Sequence, residues 1–392
     1  MPKGALPANQ ATILSRFGAI AALTLTGVMV AGARQITGAA VDPAGLDFSR
    51  SWTDFREGRS TSALEKQLEQ KLPARSALIG AANSLRYLLT GSGGEQVRTG
   101  KDGWLFLTEE LRFDANGSRA ELLGAASRSP ESQGVKLIVA LVPDKARVYS
   151  SKLANGYYPD HNSSRYADAI DAFQKQGVTT VGLLPPLAQA AARGEVYYRT
   201  DTHWNQSGAE VAAEALGSTI KRLGLELEKT SFSSIRGTPI ERPGDLIRLM
   251  GPGGTPKVLG LLPDTETPAV TQQRSAENTG LFGDSAVPVV LTGTSYSLRA
   301  NFVGYLEQVL SAKVLNAAKD GGGFLQATTL YLNEESFRSN KPKVLVWEMP
   351  ERFLWRKLDD EPRRLETVKL RSPRMKDAVV EAVSNNSMHA DQ

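Results

Sequence analysis

The sequence predicts an α/β protein built on a parallel sheet with helices on both faces. Three observations carry that expectation. Short apolar runs recur at Val135–Val142, Val178–Leu184, Val287–Thr292 and Val344–Trp347, and each stops at or near proline or glycine. Strands that are apolar on both faces belong in a sheet that is covered on both sides. Helical patterns at Ser207–Leu223 and Leu298–Leu310 separate the runs, as crossover connections require. With 392 residues, 41% of them hydrophobic, the chain is long enough for one large α/β domain with attachments or for two or three domains.

Taken in order, the chain opens with Lys3 and Arg16 before an uncharged run from Phe17 to Ala33, closed by Arg34. As a helix this run spans about 26 Å, and Ile13 and Leu14 extend it toward the thickness of a bilayer. Basic residues ahead of it favour a cytoplasmic amino end and an exported body. Residues 1–34 therefore read as a retained membrane anchor, although Ala31-Gly32-Ala33 also fits a signal-peptide cleavage site. Residues 35–94 form a polar tether and a helical lead-in, with Leu64, Leu68, Leu72 and Leu78 marking a helix over Ser62–Leu89. Trp104–Leu107 reads as a short strand, and the sheet-forming pattern runs through residues 95–356. Between Thr230 and Ala286 that pattern fails, and GPGGTP and LLPDTETP mark an irregular insertion suited to a lid or binding loop. Residues 357–392 are read as a basic C-terminal tail on the charge of the stretch that leads into them, although seven Lys/Arg and seven Asp/Glu balance over the full segment. Nine Lys/Arg against five Asp/Glu lie between Glu351 and Lys376, a charge run that reads as a solvated face.

Composition removes several kinds of chemistry. Without cysteine there is no disulfide framework, thiolate metal site or cysteine nucleophile. Three histidines, His161, His203 and His389, leave little room for a multi-histidine metal site, so no metal or organic cofactor is expected. A net charge of +4 gives no reason to expect a nucleic-acid partner.

Asp201 and His203 lie two residues apart, so in extended chain both side chains face one way. A carboxylate on one ring nitrogen fixes the tautomer and frees the other nitrogen to act as a base. Asn205 or Ser207 then caps the following helix. The strand at 287–292 ends in Gly293-Thr294-Ser295-Tyr296-Ser297, which puts Ser295 on a strand-to-helix turn at the carboxyl rim of the sheet. There its hydroxyl is presented and its own N–H is available to an oxyanion. Gly283-Asp284-Ser285 looks like an esterase motif, but no hydrophobic strand precedes it and it is set aside.

Asp201-Thr202-His203-Trp204 followed by Gly293-Thr294-Ser295-Tyr296-Ser297 resembles the AlgJ/AlgX family of alginate O-acetyltransferases. So do Gly100–Phe106, Val142-Pro143-Asp144-Lys145, Asn301–Gly304, Gly321–Gly323 and Trp347–Arg352, in that order. The likeness spans about residues 95–356 and leans toward the shorter, membrane-anchored AlgJ type. It implies an SGNH-hydrolase-like fold in which Ser295 carries the acetyl group, His203 is the general acid/base and Asp201 orients it. Gly322 and Gly323 of the Gly321–Gly323 loop are either a second backbone donor to the oxyanion or part of an ordinary loop, and no GxND motif is present to supply a side-chain donor. Lys145 is either a substrate contact or a solvated lysine, and Tyr296 either core packing or a pocket wall. Arg352 is a further substrate candidate, with an ion pair to Glu348 as the plainer alternative. The resemblance implies a polysaccharide acceptor, a membrane-bound acyl-transferring protein as acetyl supplier, other secretion-complex partners, and a periplasmic location. An acetylesterase with the same three residues and a non-catalytic scaffold of a secretion complex remain as alternatives.

Overall fold

In the computed structural model, residues 75–112, 130, 134–253, 256–274, 287–321 and 325–355 are described. The apolar run at 17–33, the tether, the Gly283–Ser285 motif, Gly322, Gly323 and the tail beyond 355 lie outside them. Among the described residues no helix is long and apolar enough to cross a membrane. The chain divides into two units, residues 1–86 with 251–255 and residues 87–250 with 256–392. In the first, helix α1 (Arg75–Thr90) donates from Asn83 Nδ2 to the Gly251 carbonyl at 3.1 Å and from Ser84 Oγ to that of Pro252 at 3.1 Å.

The second unit begins with the antiparallel pair β1 (Val97–Thr99) and β2 (Leu105–Leu107). The first strand of the central sheet is β3 (Lys136–Val142), followed by α2 (Lys145–Val148), α3 (Arg165–Lys175), β4 (Thr179–Gly182), α4 (Leu184–Ala191) and α5 (Gln206–Arg222). The predicted insertion then supplies β5 (Phe232–Arg236), β6 (Ile240–Arg242), α6 (Asp245–Met250), β7 (Asp264–Glu266) and β8 (Ala269–Gln273). The chain returns to the sheet with β9 (Val289–Thr292), α7 (Phe302–Leu310), β10 (Val314–Asn316), α8 (Gln326–Asn333), α9 (Glu335–Ser339) and β11 (Val344–Pro350).

The central sheet has the order β10-β9-β11-β3-β4, and every pairing is parallel. Strict alternation along its strands explains the apolar runs. Ile138, Ala140, Val142, Val289, Leu291, Val344 and Val346 point to one side, into a core with Leu187, Leu216 and Leu306 of α4, α5 and α7. Leu137, Val139, Leu141, Val290, Leu345 and Trp347 point to the other side, against Phe173 of α3, Tyr331 of α8 and Phe337 of α9. The central strands β9, β11 and β3 are buried on both faces, and the polar side chains of Thr292 and Glu348 are buried with them.

Two expectations change. The insertion is not without regular structure: β5 pairs with β8 and β6 with β7, each as a two-stranded antiparallel ribbon, and α6 lies between. The helix expected over Leu298–Leu310 is broken. A 3-10 turn covers Ser295–Leu298, Ala300 and Asn301 take left-handed φ of 52° and 55°, and α7 starts at Phe302. Leu298 is half exposed, so the apolar spacing that suggested one helix overran its real start.

Candidate active site

The residues around His203 are set by a hairpin. Tyr197 bridges Trp204 antiparallel, Tyr198 N donates to the His203 carbonyl at 3.2 Å, and Asn205 N donates to that of Val196 at 3.0 Å. Asn205 also caps α5, its Oδ1 accepting from Gly208 N at 3.0 Å, which fixes the hairpin to a long helix. Asp201 stands at the hairpin tip. Its Oδ1 accepts from His203 N at 3.0 Å and from Nδ1 at 2.6 Å. With Nδ1 spent on the carboxylate, Nε2 is left as the acceptor, and Ser295 Oγ lies 2.7 Å from it. The structure therefore brings Asp201, His203 and Ser295 into one hydrogen-bonded chain, although 92 residues separate the histidine from the serine.

Ser295 is presented by the β9 turn. Gly293 has φ of 151°, and a Cβ there would lie 2.6 Å from Glu348 Oε2, so only glycine fits. This lets β11 come close: Glu348 accepts from Thr294 N at 2.7 Å, from Thr294 Oγ1 at 3.0 Å and from Ser297 Oγ at 2.9 Å. Burial pushes the Glu348 carboxyl up, while the three donors work against the rise. The expected Glu348–Arg352 ion pair does not form. Glu348 serves the serine turn, whereas Arg352 faces Asp144 at 3.6 Å and Glu110 at 3.9 Å.

Tyr296 is fully buried and acts as packing. Its ring lies 4.9 Å from that of His203, and its hydroxyl donates to the Thr202 carbonyl at 2.7 Å. Arg352 is 7% exposed, with its guanidinium 5.7 Å from the Tyr296 ring centroid. Lys145 corrects the sequence reading most sharply, because it is neither solvated nor open to a substrate. Its Nζ is buried and donates to the carbonyls of Leu105 at 2.6 Å, Arg199 at 2.8 Å and Asp201 at 2.9 Å. Burial lowers this ammonium to about 8, against the pull of Glu110, Asp264, Asp201 and Asp245.

Sequence reasoning missed the insertion's part in the site. Asp264 of β7 accepts from Arg199 N and Thr200 N, both at 2.9 Å, and so holds the hairpin tip from below. Arg242 of β6 lies 3.5 Å from Asp201 Oδ2. Asp245 of α6 accepts from Thr202 N at 2.8 Å, and its own N–H donates to Asp201 Oδ2 at 3.1 Å. The close approach is permitted by Gly244, where a Cβ would overlap the Thr200 carbonyl oxygen at 1.9 Å. The one available signal was Arg242-Pro243-Gly244-Asp245, a turn sequence that leads straight into a carboxylate. For Asp201, burial favours the neutral acid, but the bonds and charge of His203 together with Arg242 outweigh it. They hold the carboxyl well below its ordinary range. Donor atoms of Asp201, His203 and Asp245 lie within 4.8 Å of one another, but each is already committed to this network.

A sequence profile for the SGNH hydrolase-like domain of the acetyltransferase AlgX matches residues 97–351. This chain belongs to that SGNH-hydrolase-like AlgJ/AlgX family. It is 35% identical over 320 residues to the Probable alginate O-acetylase AlgJ of Pseudomonas aeruginosa, covering 77% of this chain and 81% of that protein. Against the alginate biosynthesis protein AlgX of the same organism the identity is 31%, over 71% of this chain and 61% of the other. The likeness is thus fuller on the AlgJ side. The solved O-acetyltransferase domain of Pseudomonas putida AlgJ superposes with a TM-score of 0.62 at 32% identity, covering 72% of this chain and 98% of that domain. Membership assigns the chain to the acyl-transferring enzymes of SGNH type.

Proposed function

We propose that this chain is an O-acetyltransferase that moves an acetyl group through an acetyl-serine at Ser295 to hydroxyls of an exopolysaccharide, alginate or a similar polymer. The observation that carries the reading is the hydrogen-bonded order Asp201, His203, Ser295, at 2.6 Å and 2.7 Å, in a member of this family. Ser295 Oγ attacks the acetyl carbonyl carbon while its proton passes to His203 Nε2. Asp201 accepts from Nδ1–H and balances the imidazolium that forms. The carbonyl oxygen gains charge beside the Ser295 N–H, and the Gly322–Gly323 segment is the candidate for a second donor. The tetrahedral adduct collapses, and the donor's leaving group departs with the proton from His203. A sugar hydroxyl then attacks the acetyl-serine, giving its proton to His203, and Ser295 leaves as its hydroxyl form.

The same reading puts the domain in the periplasm, tethered by the apolar run at 17–33, which Lys3 and Arg16 precede. A membrane-bound acyl-transferring protein supplies the acetyl group, and other acetylation and secretion proteins of the polysaccharide system are its neighbours. Supporting this is the family's link to alginate acetylation, carried in the names of its AlgJ and AlgX relatives. The test is mass spectrometry of the protein after incubation with an acetyl ester. We expect one acetyl group on the peptide holding Ser295, discharged when an oligosaccharide is added with formation of acetylated sugar, and neither event in Ser295→Ala. Free acetate as the only product with sugar present makes the protein an acetylesterase. Unchanged polymer acetylation in cells carrying Ser295→Ala makes it a scaffold.

A further inference from the structure

We propose that Asp245, carried by the insertion, is a positioning residue that gives His203 a second carboxylate and stabilises the imidazolium formed during proton transfer. The inference rests on the reading of His203 as the base for Ser295. Asp245 Oδ2 lies 3.7 Å from His203 Nδ1, on the side of the ring already bonded to Asp201. Thr202 connects the two acids. Its N–H donates to Asp245 Oδ1 at 2.8 Å, its hydroxyl donates to Asp245 Oδ2 at 2.5 Å, and that hydroxyl stands 3.2 Å from His203 Nδ1. The Asp245 N–H reaches back to Asp201 Oδ2.

The surrounding charges give this arrangement a purpose. Arg242 of β6 approaches Asp201 Oδ2, and the Lys145 ammonium of α2 donates to the Asp201 carbonyl. Tyr296 covers one side of the imidazole, and Arg352 lies beyond Tyr296. Glu266 of β7 is paired with Arg242, and Asp264 is engaged by Arg199 and Thr200. Asp201 thus shares its carboxylate with the Arg242 guanidinium and lies beside the buried Lys145 ammonium, which weakens what it offers the ring. Asp245 makes up the difference only while the ring is protonated, that is, in the transition state rather than in the resting enzyme. The plain alternative is that Asp245 merely fastens Thr202. The two differ in one property: fastening needs an acceptor, while stabilising an imidazolium needs a negative charge.

The experiment reads Ser295 activation directly, as the rate at which phenylmethanesulfonyl fluoride modifies Ser295 in the full chain across pH, followed by intact-protein mass spectrometry. In this reaction Ser295 Oγ bonds to sulfur, fluoride leaves, and the serine proton passes to His203. Asp245→Asn keeps an acceptor for the Thr202 N–H but removes the charge. We expect a plateau rate roughly tenfold lower and an acid limb moved about one pH unit downward. Thr202→Val keeps the charge, and its acid limb should stay where the parent's is. A parent-like plateau and limb in Asp245→Asn, with loss only in Asp245→Ala, assigns the residue to fastening and overturns the proposal. Absence of Ser295 modification in the parent overturns it as well, because no relay then operates. Asp245-dependent modification in a protein that passes no acetyl group to sugar supports the proposal and defeats the acetyltransferase reading alone.

Discussion

Lys145 has all three of its ammonium hydrogens directed at backbone carbonyls, and those carbonyls belong to β2 and to the tip of the Asp201 hairpin. A methionine there fills the same space but leaves the buried carbonyls of Leu105 and Asp201 without their donor, while that of Arg199 keeps the Leu105 N–H. We expect Lys145→Met to lose about 2–3 kcal/mol in urea denaturation. The lowered ammonium adds a sign to check. Between about 8 and the ordinary lysine range the folded chain binds fewer protons than the unfolded one, so the stability of the parent relative to Lys145→Met should rise with pH across that window. Nothing in Val142-Pro143-Asp144-Lys145 announces this burial, because the three acceptors come from segments 40 to 56 residues away. Asp201, His203 and Ser295 were legible for the opposite reason. Only three histidines exist, one of them follows an acid by two residues just ahead of a helical pattern, and one serine follows the apolar run at 287–292 that ends in glycine.

At the scale of elements, the turn after β9 works only because β11 can lie against it without an intervening side chain. Gly293→Ala introduces a Cβ into Glu348 at a backbone angle that L-residues rarely adopt. We expect a loss of about 2–4 kcal/mol by chemical denaturation, together with loss of Ser295 activity, since the hydroxyl shifts with the turn. The strands around this turn could be read from the sequence because burial on both faces leaves an unbroken apolar signature. The insertion could not. Ile235 and Val270, cross-strand partners in β5 and β8, are both more exposed than buried, so no apolar face repeats with period two. A carboxylate at the start of a short helix also looks like ordinary capping, and what made Asp245 matter was Thr202, 43 residues earlier.

Across the whole molecule, the site is assembled from the hairpin tip at 199–203, the insertion at 242–246, the serine turn at 293–297 and Glu348 of β11. Its charges are therefore part of what holds the unit together. Asp201 is held well below the usual carboxylate range, so its contribution is present above about pH 4 and lost as pH falls further. The melting temperature of Asp201→Asn should fall clearly below that of the parent at pH 7, and the two should converge in acid; an equal gap at pH 3 and pH 7 would count against the ion pairing. The contact of Gly244 with Thr200 has one more consequence. Anyone exchanging segments between relatives to retune acceptor choice will find that 230–286 is no free cassette. A graft that omits 242–246 severs the base from its supports, so a working chimaera must transplant the 199–203 tip and its partner strip together.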